Sequence, residues 1–396
     1  MGGPALSHLP RLRLRKGRLK RVASGHPWVF SNELQEVPPL EPGALAVLDG
    51  PGGEPLGTGY FNPRTLIAFR WIARGADPEP DWLERRVAAA VARRRALYPG
   101  EECVRLAFGE ADGLPGLVAD RYGDAVVLQC LTAGMERLRE RAEAALRDAA
   151  APRLLVRKDD SPARALEGLA RAAGWEPAEE RPVAEARYLG LRFRLDFEEA
   201  QKTGLFLDQR ENVRALLARL SPGARLLDVF CYRGAWGLAA LRAGAREVQF
   251  VDASAVACAA VEAALAENGL PESTIHRGDA FEVLSALRHG GEKFDAVVVD
   301  PPAFAKSRKH LAEALKAYGR LNALAMALVA PGGLLATCSC SHHVGREEFR
   351  ELLRETAARA AREARLVEFR GHAPDHPVLL SFPEGDYLKC AIIRLA

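Results

Sequence analysis

Near the end of the chain two cysteines stand two residues apart, in Thr337-Cys338-Ser339-Cys340-Ser341, directly after the apolar run 333–337. A thiol at the carboxyl edge of a sheet is a candidate nucleophile, because the thiolate is the reactive form. Residues two apart on a strand share a face, so both thiols point the same way if the strand runs through Cys340. If the strand stops at Thr337 they need not. Upstream, Asp300-Pro301-Pro302-Ala303-Phe304 follows the apolar run 296–299. Two prolines cannot continue a strand, so the chain turns and leaves Asp300 at the sheet edge. Phe304 then offers a ring on which a planar base can stack. Taken singly, each feature has a plainer reading as a buried thiol, a turn or a core ring.

Three more carboxylates end successive predicted strands. Asp228 lies in Leu226-Leu227-Asp228-Val229-Phe230, before the turn Cys231-Tyr232-Arg233-Gly234-Ala235-Trp236-Gly237 and a helix. A strand, a tight glycine turn and a helix N-terminus form a nucleotide-type crevice. The Gly-x-Gly pair that admits a pyrophosphate is missing, which disfavours a nicotinamide-dependent oxidoreductase. A nucleoside ligand without phosphates fits better, and S-adenosylmethionine (SAM) is one. Asp228 can approach its cationic amino-acid end. Asp252 can accept hydrogen bonds from a ribose diol. Asp279, in Gly278-Asp279-Ala280-Phe281, can read an adenine amino group. Each Asp alone is more often a cap or turn residue, but three at successive strand ends are much harder to explain that way.

A methyl donor beside a thiol suggests a specific reaction. Carbon 5 of a pyrimidine is a poor nucleophile until a thiolate adds at carbon 6, and loss of the carbon-5 proton later expels the thiolate. A carboxyl group near ring nitrogen 3 helps as charge develops there, and Asp300 is the candidate.

These residues need a scaffold. A chain of 396 residues is long for one core, and two or three domains are expected. With 48% apolar and 27% charged residues the balance is that of a soluble protein. No apolar run approaches the roughly 20 residues that span a bilayer, and the basic N-terminus lacks the apolar core of a signal peptide, so a cytoplasmic location and no membrane partner are expected. Seven cysteines, an odd and scattered number, argue for reduced thiols, and Cys-x-Cys alone is a poor zinc site, so no metal is expected. A net charge of +3 hides a cluster formed by Arg11, Arg13, Arg15, Lys16, Arg18, Lys20 and Arg21. The alternation of residues 11–15 predicts a half-buried strand. Residues 1–74 read as a small all-β unit with further strands over 44–48 and 66–72. Residues 75–190 read as a mixed α+β region, with helices over 82–98 and 136–149 and strands over 126–131 and 154–157. Residues 191–396 alternate strand and helix in the manner of a doubly wound α/β domain. Its strands are predicted over 226–230, 247–251, 295–299 and 333–337. Its clearest helix spans 254–268, with Ser254 as N-cap and Gly269 as the left-handed C-terminal residue.

The chain resembles the PUA-domain-containing 23S rRNA cytosine-carbon-5 methyltransferases, the RlmI-like family, over nearly its whole length. The resemblance rests on Gly25-His26-Pro27-Trp28-Val29-Phe30, Pro42-Gly43, Gly57-Thr58-Gly59-Tyr60-Phe61-Asn62-Pro63 and Glu110-Ala111-Asp112-Gly113-Leu114-Pro115-Gly116-Leu117. It also rests on Gln201-Lys202-Thr203-Gly204-Leu205-Phe206-Leu207-Asp208-Gln209-Arg210, on 228–237, on the Asp300 turn and on Ser339-Cys340-Ser341. It implies a class I, Rossmann-like methyltransferase domain behind an N-terminal PUA barrel, SAM as cofactor, and large-subunit rRNA as partner. Cofactor contacts are implied for Gln201, Lys202, Thr203, Phe206, Asp228, Phe230, Tyr232, Gly234, Asp252, Ala253, Asp279, Ala280 and Asp300. Cys340 is implied as the nucleophile, with Cys338 as the alternate. Pro301, Pro302 and Phe304 are implied at the base, with Lys306, Arg308, Arg11, Arg13, Arg15 and Lys16 on phosphates. A neighbouring family carries a second cysteine after the motif proline; Ala303 stands there instead, so another group or water takes the carbon-5 proton. His342 and His343 read as substrate contacts or as plain loop residues. A homodimer stays open. Two rival readings also stay open: a methyltransferase acting on exocyclic or ring nitrogen of guanine or adenine, and a non-catalytic RNA-binding assembly factor.

Overall fold

The alternation of the basic N-terminal segment is realised: Leu12 and Leu14 are buried while Arg11, Arg13 and Arg15 are exposed. The strand itself is short, Arg11–Arg13, and the rest of the basic stretch turns away into a helix, Leu19–Ala23. The computed structural model describes residues 8–75, 77–178, 181–305 and 307–396. It divides into two units.

The first unit takes in Met1–Ala186, Arg194–Leu205 and Pro374–Gly385, as far as these are described. One five-stranded sheet runs Arg11–Arg13, Ala44–Asp49, Pro55–Phe61, Ile67–Arg74, Trp28–Phe30, and Leu12, Leu48, Phe61 and Phe69 fill its core. A second five-stranded sheet runs from Gly174–Glu176 through Leu154–Arg157, Ala125–Cys130 and Leu117–Tyr122 to Cys103–Phe108. Helices Trp82–Leu97 and Arg139–Ala150 share its core through Val87, Val91 and Leu146.

The second unit takes in Arg187–Phe193, Phe206–Ala373 and Asp386–Ala396. Its sheet has seven strands: β1 (Arg225–Val229), β2 (Glu247–Asp252), β3 (Thr274–Arg277), β4 (Phe294–Val299), β5 (Val329–Ser339), β6 (Ala364–Arg370) and β7 (Lys389–Leu395). In space the order is β3-β2-β1-β4-β5-β7-β6. The first five are mutually parallel, and β7 is antiparallel to both β5 and β6. Buried on both faces, β1 and β4 are mostly apolar, as central parallel strands tend to be, with Asp228 the one buried charge in β1 and Asp295 exposed in β4. The order reverses beside β1, and the crevice at the carboxyl ends of β1 and β4 is where such sheets bind ligands.

Helix boundaries follow the expected chemistry. Ser254 caps Ala255–Glu267 by accepting from the Ala257 amide at 3.3 Å, and Gly269 takes φ +60°. The largest departure is β5, which extends beyond the expected run at both ends, because β4 and β7 pair with it from either side.

Candidate active site

Asp228 has no exposed surface. One carboxylate oxygen accepts the Gly237 amide at 2.9 Å; the other, among the described residues, has no hydrogen-bond partner. Burial pushes this carboxyl up to about 7, against the pull of the Gly237 bond and helped by repulsion from Asp300 and Asp252. An orphaned buried oxygen with two more carboxylates close by suits a cationic group. The sulfonium and ammonium groups of SAM supply positive charge of that kind, so the residues fit the cofactor. Gly237 is glycine because a Cβ there would lie 2.3 Å from the Phe250 ring.

The loop after β1 is held in an unfavourable shape. Phe230 and Tyr232, neither of them glycine, take φ of +62° and +51°, each costing on the order of 1 kcal/mol. Backbone bonds from Cys231 to Val251 at 3.1 Å and from Gly234 to Cys231 at 2.7 Å pin the loop. Asp252 adds to this, accepting the amides of Tyr232 and Ser254, each at 2.9 Å. Its carboxylate therefore braces the loop and retains lone pairs for a ligand. Phe206 packs edge-on against Tyr232 with centroids 5.3 Å apart. Asp279 is an exposed N-cap whose carboxylate takes the amides of Phe281 at 2.9 Å and Glu282 at 3.2 Å. Ala253 is exposed and Ala280 buried. Gln201, Lys202 and Thr203 fall in the first unit, where the Thr203 hydroxyl bonds Asp120.

At the other side of the crevice, Asp300 accepts a bond of 2.9 Å from the Gln209 side-chain amide, whose oxygen is held in turn by Asn212 at 2.6 Å. Cys340 lies just past the end of β5, and its Sγ is 3.8 Å from the carbonyl of Pro301. It is half-buried, whereas the six other cysteines are buried. The flanking serines explain its placement. Ser339 and Ser341 both bond the Tyr318 hydroxyl, at 3.1 and 3.0 Å, and the Ser341 hydroxyl also accepts the Ala305 amide at 3.2 Å. One buried tyrosine thus holds the cysteine segment, and Ser341 ties that segment to the Asp300 turn.

Cys338, the alternate, lies within β5 opposite Cys390 and has no exposed surface. Burial, then Cys390 and Asp300, push its thiol well above the ordinary range. The strand ends at Ser339, between the two limits considered from sequence, and the thiols differ in exposure. Phe304 is half-buried with its ring 4.7 Å from that of Tyr318, so the core takes part of the surface expected to stack on a base. Pro301 is buried and Pro302 exposed. Arg308 is exposed in the turn Arg308–His310, and Lys306 lies outside the described residues. His342 and His343 are exposed.

In the first unit, Arg13 and Lys16 are exposed. Arg11 is engaged by both oxygens of Asp49, and Arg15 donates to the Leu34 carbonyl at 2.6 Å, so these two charges are partly committed within the fold. Among the described residues no cluster of His, Cys, Asp or Glu has the arrangement of a metal site, and no helix is long and apolar enough to cross a membrane.

Sequence reasoning missed Gln209, Tyr318 and Lys389. Gln209 stood inside a quoted motif. Tyr318 arrives from a helix, Leu311–Leu328, and Lys389 from β7, whose Nζ donates to the carbonyls of Ser341 at 2.7 Å and Tyr387 at 2.8 Å.

Comparison with known proteins agrees with this geometry. Residues 120–386 match the S-adenosylmethionine-dependent methyltransferase family, and residues 12–74 match the PUA-like domain. The protein named ribosomal RNA large subunit methyltransferase I of Shewanella denitrificans is 36% identical over 395 residues, covering 97% of this chain and 99% of the relative. Its namesake in Aeromonas hydrophila is 36% identical over 389 residues, covering 96% and 98%. A solved structure of a putative SAM-dependent methyltransferase from Streptococcus mutans superposes with a TM-score of 0.83 at 19% identity, covering 98% of this chain and all of that one. A putative methyltransferase solved in complex with SAH superposes at 0.84, also at 19% identity, with the same coverage. At that identity the likeness is one of fold.

Proposed function

The chain belongs to the S-adenosylmethionine-dependent methyltransferase family, and we propose that it methylates carbon 5 of a cytosine in large-subunit ribosomal RNA through a transient adduct at Cys340. SAM supplies an electrophilic methyl group. Asp228 meets its positive charge, and Asp252, Phe206 and Tyr232 frame the nucleoside part. Asp279 completes the proposed cofactor contacts in the second unit.

The Cys340 thiolate adds to carbon 6 of the base, and the electron pair of the 5,6 double bond becomes available at carbon 5. Asp300, oriented by Gln209, carries a proton in this step and donates it in a hydrogen bond to ring nitrogen 3 as negative charge develops there. Once carbon 5 carries the methyl group, its proton leaves, the double bond re-forms and the thiolate departs. With Ala303 after Pro302, a water molecule or another group takes that proton.

RNA is the partner supported by the relatives' names and by the PUA-like match. Exposed Arg13, Lys16, Arg18 and Lys20 suit phosphate contacts, with Arg308 offering another.

The observation that carries this reading is Cys340: one partly exposed thiol, 3.8 Å from the Pro301 carbonyl of the Asp300 turn. An amine methyltransferase requires the Asp-Pro-Pro turn and no thiol. Nucleoside mass spectrometry after incubation of unmodified large-subunit rRNA with enzyme and isotopically labelled SAM separates the two. Labelled 5-methylcytidine is expected; label on guanine or adenine nitrogen overturns the proposal.

A further inference from the structure

Two lysines of the described chain are buried, and they are held differently. Lys158 pairs with Asp160 at 2.9 Å. Lys389, only 1% exposed, has no carboxylate partner among the described residues and donates instead to two backbone carbonyls. Burying an ammonium without a counter-ion is unfavourable, and an apolar residue would fill a strand position without that penalty. The location suggests what the charge does. The register pairs Ser339 of β5 with Lys389 of β7, so the lysine reaches the carbonyl of Ser341, the residue after Cys340. Two of its three hydrogens are committed to carbonyls.

Lys389 and Cys340 also interact through charge. Burial draws the lysine down to about 8, and a negative Cys340 opposes this, favouring the protonated amine. The coupling is reciprocal, so a protonated Lys389 favours the thiolate. Of the other charged groups acting on Lys389, Asp386 and Glu348 act in the same sense and Arg346 against them; Arg346 is itself bonded to Asp386 at 3.3 Å.

We propose that Lys389 is a positioning residue for the nucleophile, clamping the segment that carries Cys340 and placing a positive charge near its sulfur. The inference rests on reading Cys340 as the nucleophile. Its test needs no RNA, since the six other cysteines are buried and iodoacetamide reports on Cys340 in the folded protein. The rate of Cys340 alkylation, read by peptide mass spectrometry, is followed between about pH 6 and pH 9. In Lys389→Met the midpoint is expected to move to higher pH, with labelling at neutral pH about tenfold slower for each unit of displacement. Lys389→Arg is expected to keep the wild-type profile. If Lys389→Met fails to melt cooperatively or to bind SAM, Lys389→Gln replaces it, because its amide retains two hydrogens for the carbonyls and removes only the charge. A neutral variant with the wild-type profile overturns the proposal. Cys340→Ala that still methylates RNA ends the nucleophile reading instead, a result the alkylation profile does not depend on.

Discussion

The two sides of the crevice are built from opposite charges. Along β1 and β2 the sheet edge presents carboxylates: Asp228, buried with one oxygen unpartnered among the described residues, and Asp252 bracing the loop. Along β5 and β7 it presents a half-buried thiol and a buried lysine held only by carbonyls. The first side suits a cation, the second an anion. A reaction that joins a sulfonium methyl to a carbon activated by a thiolate needs both, kept apart until the base lies between them.

The sharpest way to break this contrast lies on the thiol side. Cys340→Ala is expected to lower methyl transfer by about a thousandfold or more while SAM affinity stays near wild type. Cys338→Ala, two residues away but buried against Cys390, should keep turnover within about threefold and lose about 1 kcal/mol of stability. Single-turnover assays and chemical denaturation check both, and equal losses would erase the distinction between the thiols. On the other side, Asp228→Asn removes charge while keeping shape. SAM affinity should weaken about ten- to hundredfold, the span of a charged hydrogen bond, with Cys340 alkylation unchanged.

A smaller effect follows from the position of the Asp228 carboxyl at about 7. If Asp228 makes the proposed contact, its ionised form attracts the cofactor, so SAM affinity should fall below neutral pH, by up to about tenfold per unit. Calorimetry between about pH 5.5 and pH 8 reads this, and the slope should vanish in Asp228→Asn. Stability runs the other way. A carboxyl held above its ordinary 3.8 stabilises the fold below that value, and the contribution is lost as pH rises through about 7. Bound SAM should therefore raise the melting temperature more at pH 8 than at pH 6. Smallest is Tyr318→Phe, which deletes the hydroxyl shared by Ser339 and Ser341. It should cost about 1–3 kcal/mol and slow turnover several-fold without altering SAM affinity.

How much of this the sequence foretold depends on distance along the chain. Ser254 and Gly269 mark their helix because capping is local. Asp228, Asp252 and Asp300 were visible as strand-end carboxylates, since short apolar runs and turn residues give those ends away. What Asp252 does with its oxygens was not, because its partners depend on the left-handed backbone at Tyr232. Lys389 carried no signal at all. It reaches the site only through an antiparallel strand that the alternating βα pattern does not announce. Tyr318 looked like any helix residue until Ser339 and Ser341 met its hydroxyl. The basic N-terminal run predicted a strand and an exposed charged face, but not that Asp49 would engage Arg11.

The adduct itself is the most direct measurement. RNA carrying 5-fluorocytidine at the target lacks the proton whose loss releases the enzyme, so the thiolate should remain bonded to carbon 6. Incubation with SAM should give a complex stable to denaturant, with the nucleotide mapped by mass spectrometry to Cys340 and absent from Cys340→Ala. A complex mapped to Cys338, or none while unmodified RNA is still methylated at carbon 5, would contradict the account.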